Sequence, residues 1–170
     1  LQQAARVSDL TACLYIGELI EFNERHHVEE LGLFGQELLR RAQEKGGLDS
    51  PEYLRARERI QRITRSSIDE TMKEHRLDAM VAPTGSPAWT LDVANGDHFV
   101  LGSASPASVA GYPNITVPAG QVFQLPVGIS FFGRAFSEPT LLKIAYAFEQ
   151  ATMARRPPKY LPTLPLGTTP

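Results

Sequence analysis

Through the first 76 positions apolar residues recur three and four apart; from residue 77 they gather into short β-branched runs parted by Gly, Pro, Ser and Asn. The first pattern is that of helices with one buried face, the second that of strands. The clearest helix follows Asp49, with Leu54, Ala56, Ile60, Ile63, Ser67 and Met72 along one side. Asp49 and Glu52 make a capping-box-like start, and Pro51 sits early, where its missing N–H costs nothing. An earlier helix is expected to begin after Ser8 or Asp9, both good N-caps, and to carry Leu10, Leu14, Leu19, Ile20 and Phe22. A shorter one over 35–45 places Leu38, Leu39 and Ala42 on one side and stops at Gly46-Gly47, where a glycine can turn left-handed.

Beyond residue 77, Ala79-Met80-Val81-Ala82 ends at Pro83 and reads as a strand covered on both faces. Ile115-Thr116-Val117 and the run from Val127 to Phe132 are two more strands. Ala107–Ala110 is a short helical turn. A closing helix from Pro139 to Arg155 has Leu141, Leu142, Ala145, Phe148 and Thr152 as its stripe. The tail from Pro157 to Pro170 holds five prolines and is expected to be extended. The chain thus reads as one α/β domain: 1–76 mainly helical, 77–156 strands plus helices, 157–170 a proline-rich tail. Between the first two strands lies a long irregular stretch, Thr84 to Gly102, with Pro87, Trp89, Asn95-Gly96 and His98. A loop of that length inside a compact domain is either functional or disordered, and its Trp and Phe argue against disorder.

Composition adds mainly exclusions. Seventeen basic against nineteen acidic side chains leave a net charge of −2, too balanced to attract nucleic acid or an anionic membrane. Arg55, Arg57, Arg59, Arg62 and Arg65 alternate with Glu52, Glu58, Asp69 and Glu70, the pattern of solvated helix faces, and no aromatic residues interleave as a stacking platform for bases needs. No apolar run reaches the roughly 20 residues of a membrane-spanning helix. Nucleic acid and membrane are therefore not expected as partners. Cys13 is the only cysteine, which leaves no intramolecular disulfide or cysteine zinc site and fits a reducing, cytoplasmic compartment. The chain opens on Leu1, so any targeting signal would lie upstream. The four histidines are scattered and read as surface residues; His26 and His27 diverge by about 100° on a helix, a poor start for a metal site. His98, beside Asp97, is the one in the long loop. No metal or cofactor is expected.

A hydrolase needs a nucleophile, a base and an oxyanion site. Gly128-Ile129-Ser130-Phe131-Phe132-Gly133 approaches a nucleophile elbow, but its second glycine comes one place late and its residues read as core strand. Ser103, Ser105 and Ser108 precede Val109-Ala110-Gly111-Tyr112-Pro113 and read as helix-capping and packing residues. Lys45, Lys73, Lys143 and Lys159 have no Gly/Ser-rich partner segment.

Several stretches resemble, in order and spacing, the C-terminal region of amidase signature enzymes. They are Asp78-Ala79-Met80-Val81-Ala82-Pro83-Thr84, the run Ala110-Gly111-Tyr112-Pro113-Asn114-Ile115-Thr116-Val117-Pro118-Ala119-Gly120, the run Leu125-Pro126-Val127-Gly128-Ile129-Ser130-Phe131-Phe132-Gly133, and Phe148-Glu149-Gln150. Upstream, Leu19-Ile20-Glu21-Phe22-Asn23 and Phe34-Gly35-Gln36-Glu37-Leu38 look like the subgroup that includes peptide amidases. The resemblance implies helices packed on a mixed sheet. It also implies a Ser–cis-Ser–Lys triad and an oxyanion loop in the upstream two thirds of the enzyme; no position here matches them, so no catalytic residue is assigned. This portion would supply the far wall of the sheet and one side of the acyl pocket. Trp89 and Phe99 are expected as apolar walls, Asp97 as an acceptor for an amide or ammonium group, and Ser103 as a further substrate contact. The implied partners are an amide substrate, small or peptidic, and the N-terminal part of the same enzyme. The implied activity is hydrolysis of a linear carboxamide or a peptide C-terminal amide. A component of a tRNA-dependent amidotransferase and a non-catalytic module remain the alternatives.

Overall fold

The computed structural model describes residues 15–45 and 47–160, and the chain divides into two units, Leu1–Arg55 and Ala56–Pro170. Ser8, Asp9, Leu10, Cys13, Leu14, Gly46 and the tail from residue 161 lie outside the described residues. So the expected first N-cap, the first glycine of the expected stop and most of the extended tail fall there too.

In the first unit, α1 (Ile16–Arg25), α2 (His27–Glu30) and α3 (Glu37–Gln43) follow the expected helical pattern. The Glu18 carboxylate accepts the Tyr15 N–H at 3.3 Å, closing the start of α1. Phe22 is buried, and His26 stacks on it at 4.2 Å while its Nδ1 lies 2.9 Å from the Phe22 carbonyl. His26 is therefore half-buried rather than a surface residue. Of the expected side of α3 only Leu39 is half-buried; Leu38 is 76% exposed and Ala42 is exposed too. A polar link joins the helices instead. Buried Gln36 accepts from Asn23 Nδ2 at 3.1 Å and donates to the Ile20 carbonyl at 3.3 Å. Arg40 and Glu24 add an ion pair.

Helix α4 (Pro51–Glu74) starts two residues after Asp49, its expected cap. Ser50 Oγ accepts the Tyr53 N–H at 3.4 Å, so the N-cap is Ser50 and not Asp49. Of the expected stripe only Met72 is buried, packing with Ile68, which lies outside that stripe, and with Ala110, Met80 and Tyr112, while Leu54, Ala56, Ile60, Ile63 and Ser67 stay exposed.

In the second unit, β1 (Met80–Pro83), β2 (Asn114–Val122) and β3 (Leu125–Phe132) form a sheet of order β1-β3-β2. All three pair antiparallel, with Met80 and Asn114 opposite Phe132 and with Ala82 and Thr116 opposite Ser130. The α/β class stands, but the described strands show no parallel pairing. The reason is local: β2 and β3 are joined by Phe123-Gln124 alone, and a two-residue connection permits only an antiparallel hairpin. Both turn residues have positive φ, 49° and 67°, as a type I′ turn demands. Among the described strands β1 lies at the edge of the sheet, and with Val81 59% exposed it is not covered on both faces.

One face of the sheet is covered by α6 (Glu138–Thr152), whose Leu141 and Ala145 pack with Phe131, Ile115, Val117 and Ile129. Phe148 meets Phe131 edge-on at 5.8 Å. Leu142 and Thr152, expected in the stripe, are exposed, and the helix ends at left-handed Met153. The short α5 (Ser105–Ala110) buries Ala107 and Ala110 and stops at Gly111, whose φ of 69° suits glycine. Among the described residues no helix is long and apolar enough to cross a membrane.

The turn after α5 is latched to α4. Arg65 Nε donates to the Ala110 carbonyl at 2.8 Å, the Tyr112 hydroxyl donates to Asp69 Oδ2 at 2.8 Å, and the Arg65 guanidinium lies over the Tyr112 ring. Arg65 and Asp69 thus anchor a turn, where a solvated helix face was expected. Burial first, and the Asp69 hydrogen bond second, raise the Tyr112 pKa. A raised phenol pKa adds stability that is fully present below the unfolded value of about 10 and is lost as pH rises through the folded value. Tyr112→Phe should lower stability in urea by about 1–2 kcal/mol at neutral pH. It should also flatten the alkaline decline that the native chain shows; an unchanged alkaline limb would remove the latch from the stability account.

Candidate substrate-recognition loop

Residues 84–103 leave the end of β1 and return to its side, with Gly85 and Gly102 forming an isolated antiparallel bridge. Ser86 N–H donates to the Leu101 carbonyl at 3.3 Å, and Ser103 N–H to the Thr84 carbonyl at 3.2 Å. The long stretch is therefore irregular as expected, but it is closed at its root like an Ω-loop.

Thr84 is the centre of that root. Its N–H donates to the Gly128 carbonyl at 2.9 Å, and its Oγ1 lies 2.8 Å from Ser130 Oγ. Thr116 Oγ1 lies 2.9 Å from the same Ser130 oxygen and 3.4 Å from Thr84 Oγ1. β2 and β3 and the residue that follows β1 thus contribute one hydroxyl each to a triangle on the sheet face opposite α6. A Cβ on Gly128 would come within 2.8 Å of Thr84 Oγ1 and 3.0 Å of Thr116 Cγ2, so the glycine clears the space. Ser130 is buried in the core strand, as the late second glycine of its motif implied.

At the tip, Asp92 organises a turn. Its Oδ1 accepts from Ala94 N at 3.0 Å and Asn95 N at 2.9 Å, its Oδ2 accepts from Asn95 Nδ2 at 2.9 Å, and Gly96 closes with φ of 85°. His98 Nε2 lies 3.5 Å from Asp92 Oδ2, so the loop histidine pairs with Asp92 and not with its neighbour Asp97. The Asn95 side-chain hydrogen bond, followed by its backbone one, lowers the Asp92 pKa.

The structure brings two of the four expected contact residues together: Trp89 and Phe99 meet edge-on with centroids 6.1 Å apart. Both present surface, at 40% and 68% exposure. Asp97 is exposed and has no hydrogen-bond or ion-pair partner among the described residues. Ser103 sits at the root, where its Oγ reaches the Thr84 carbonyl at 3.5 Å. Ser105 and Ser108 do not cap α5, whose N-cap position is Ala104, with no side-chain cap bond. Sequence reasoning does not single out Thr84, Thr116 and Ser130 as a group: Thr116 faces Ser130 in register, but Thr84 lies just past β1, level with Gly128, and reaches Ser130 diagonally. Among the described residues no three His, Cys, Asp or Glu side chains gather to hold a metal.

The family model described as Amidase matches residues 5–142. The chain belongs to the amidase family. A crystal structure of the peptide amidase PAM in complex with the competitive inhibitor chymostatin superposes with a TM-score of 0.81 at 47% identity, over 91% of this chain and 32% of that one. A probable amidase of Arabidopsis thaliana is 38% identical over 83% of this chain and 24% of its own length. A glutamyl-tRNA(Gln) amidotransferase component of Staphylococcus carnosus is 30% identical over 69% of this chain and 26% of its own length. The chain therefore spans about a quarter to a third of the amidase-family proteins it matches. Asn23 and Gln36, hydrogen-bonded to each other, lie in the two upstream stretches that carry the peptide-amidase resemblance.

A lowered carboxyl pKa contributes order that is present above the unfolded value of about 3.9 and is lost as pH falls through the folded value. Limited proteolysis at neutral pH should therefore nick Asp92→Ala faster between Val93 and His98, with the native loop acquiring the same sensitivity in acid. Equal cleavage of both proteins at neutral pH would show that Asp92 does not order the tip.

Proposed function

We propose that this chain forms part of an amidase that hydrolyses a linear carboxamide or a peptide C-terminal amide, and that the 84–103 loop contacts the substrate. The observation carrying this reading is the loop itself. It leaves the end of a sheet strand, is fastened at its root, and presents Trp89, Phe99 and Asp97 to solvent in a chain close to a peptide amidase. Ligand sites of α/β sheets tend to lie beyond such strand ends. The ring pair offers an apolar wall for a side chain, and the unpaired Asp97 carboxylate can accept from an amide or ammonium N–H. Ser103 stands behind them as part of the loop's fastening and as a contact for a substrate group reaching the root.

The chemistry of bond cleavage is assigned elsewhere in the enzyme. Among the described residues no lysine side chain is hydrogen-bonded or ion-paired, and Ser130 is enclosed by other hydroxyls. A serine without a base is a poor nucleophile at neutral pH. The Ser–cis-Ser–Lys machinery of the family would lie in the N-terminal part, which is then the partner this portion needs. Hydrolysis of amides is favoured over transfer to aminoacyl-tRNA, because likeness to the peptide amidase is higher and covers more of the chain.

Kinetics on the full-length protein test this. Trp89→Ala and Phe99→Ala should each raise KM, by an amount reflecting about 1–3 kcal/mol if the ring is covered by substrate, with kcat little changed. Asp97→Asn should alter the preference between cationic and neutral amides. The 170-residue chain alone should show no turnover. Wild-type constants for all three variants across a substrate panel would make the loop structural and move specificity to the N-terminal part.

A further inference from the structure

We propose that the Thr84–Thr116–Ser130 hydroxyl triangle is a positioning device that sets the root of the 84–103 loop, with Ser130 as its keystone. The proposal rests on the preceding reading only for its consequence in catalysis; the anchoring itself can be tested apart from it. Ser130 is 1% exposed and lies on the central strand, where a lone hydroxyl would be costly. It is satisfied by one hydroxyl from the end of β1 at 2.8 Å and one from β2 at 2.9 Å, and these two lie 3.4 Å from each other. Around such a ring each hydroxyl donates once and accepts once, so no proton is left without an acceptor.

Packing alone does not call for this arrangement. Val in place of Thr and Ala in place of Ser would fill nearly the same space on a sheet face, without polar atoms to satisfy. What hydroxyls add is direction. Thr84 is held on three sides: its side chain by Ser130, its N–H by the Gly128 carbonyl, and its carbonyl by Ser103. The side chain is the only one of the three that reaches across the sheet to β2. Gly128 keeps that path open, since a Cβ there would collide with Thr84 Oγ1. The triangle therefore fixes the direction in which the chain leaves β1, and with it the placement of Ser86 and Ser103 at the loop's root.

The test uses the full-length protein, hydrogen exchange read on peptides covering 84–103, and steady-state kinetics with a C-terminally amidated peptide. Ser130→Ala and Thr84→Val remove a corner of the triangle; Thr84→Ser keeps the hydroxyl and loses only the methyl. Ile129→Val, on the α6 side of the sheet, lowers stability without touching the triangle. We expect exchange in the loop-root peptides to rise about tenfold in Ser130→Ala and Thr84→Val, to stay near native in Thr84→Ser, and to be unaffected in Ile129→Val. KM should rise by a similar factor in the first two variants while kcat changes less than about twofold. Native exchange in both Ser130→Ala and Thr84→Val, or an equal rise in Ile129→Val, would overturn the anchoring role. Faster exchange with an unchanged KM would uphold the anchor and instead refute the substrate reading of the loop.

Discussion

Both outer strands of the sheet pair with β3 and not with each other, so the placement of everything they carry depends on the hydrogen bonds of that one strand. On its α6 side β3 offers Phe131 and Ile129 to an apolar layer, where burial is non-directional and tolerates small shifts. On its other side it offers Ser130, and there the interaction is directional. The two faces thus divide the labour: one supplies bulk stability, the other fixes where a loop begins. The latch from Arg65 and Asp69 of α4 to the Ala110 carbonyl and the Tyr112 hydroxyl holds the chain leading into β2 by the same directional means.

Much of this architecture is legible in the pattern of apolar positions. The helical first half, three short strands and a closing helix all follow from periods that reflect burial of one face. What escapes that pattern are features set by partners distant in the chain or by residues of atypical type. Ser50 caps α4 rather than Asp49, because two adjacent residues of equal capping chemistry differ only in the backbone angles that the turn before them imposes. The β2–β3 hairpin is hidden because Phe123-Gln124 lacks the Asn-Gly signature its positive φ values favour. The stripe of α4 is buried only at its far end, since periodicity states which residues share a face and not how far along the helix a neighbour covers it.

The candidate site divides in the same way. The loop's length, its aromatic residues and its place after a strand mark it from the sequence alone; of the turn at its tip only Asn95-Gly96 stands out there, and the part played by Asp92 comes from the structure. Its fastening is not legible there. Thr84, Thr116 and Ser130 are unexceptional singly, and their meeting depends on strand register, which no local pattern encodes. The half-buried Asn23–Gln36 bond is similar: two ordinary amides become a structural element only once α1 and α3 lie side by side.

The sequence distances within the hydroxyl triangle carry a kinetic meaning. Thr116 and Ser130 are 14 residues apart, whereas Thr84 and Ser130 are 46 apart. Closing the longer span costs about 1 kcal/mol more in chain entropy, by the logarithmic growth of that cost with length. The hairpin corner can form on its own, but β1 joins only after the intervening segment has been drawn in. Contact separation alone thus favours the β2–β3 corner forming before the β1 corner, which makes the exit direction of the loop the later of the two contacts to be fixed.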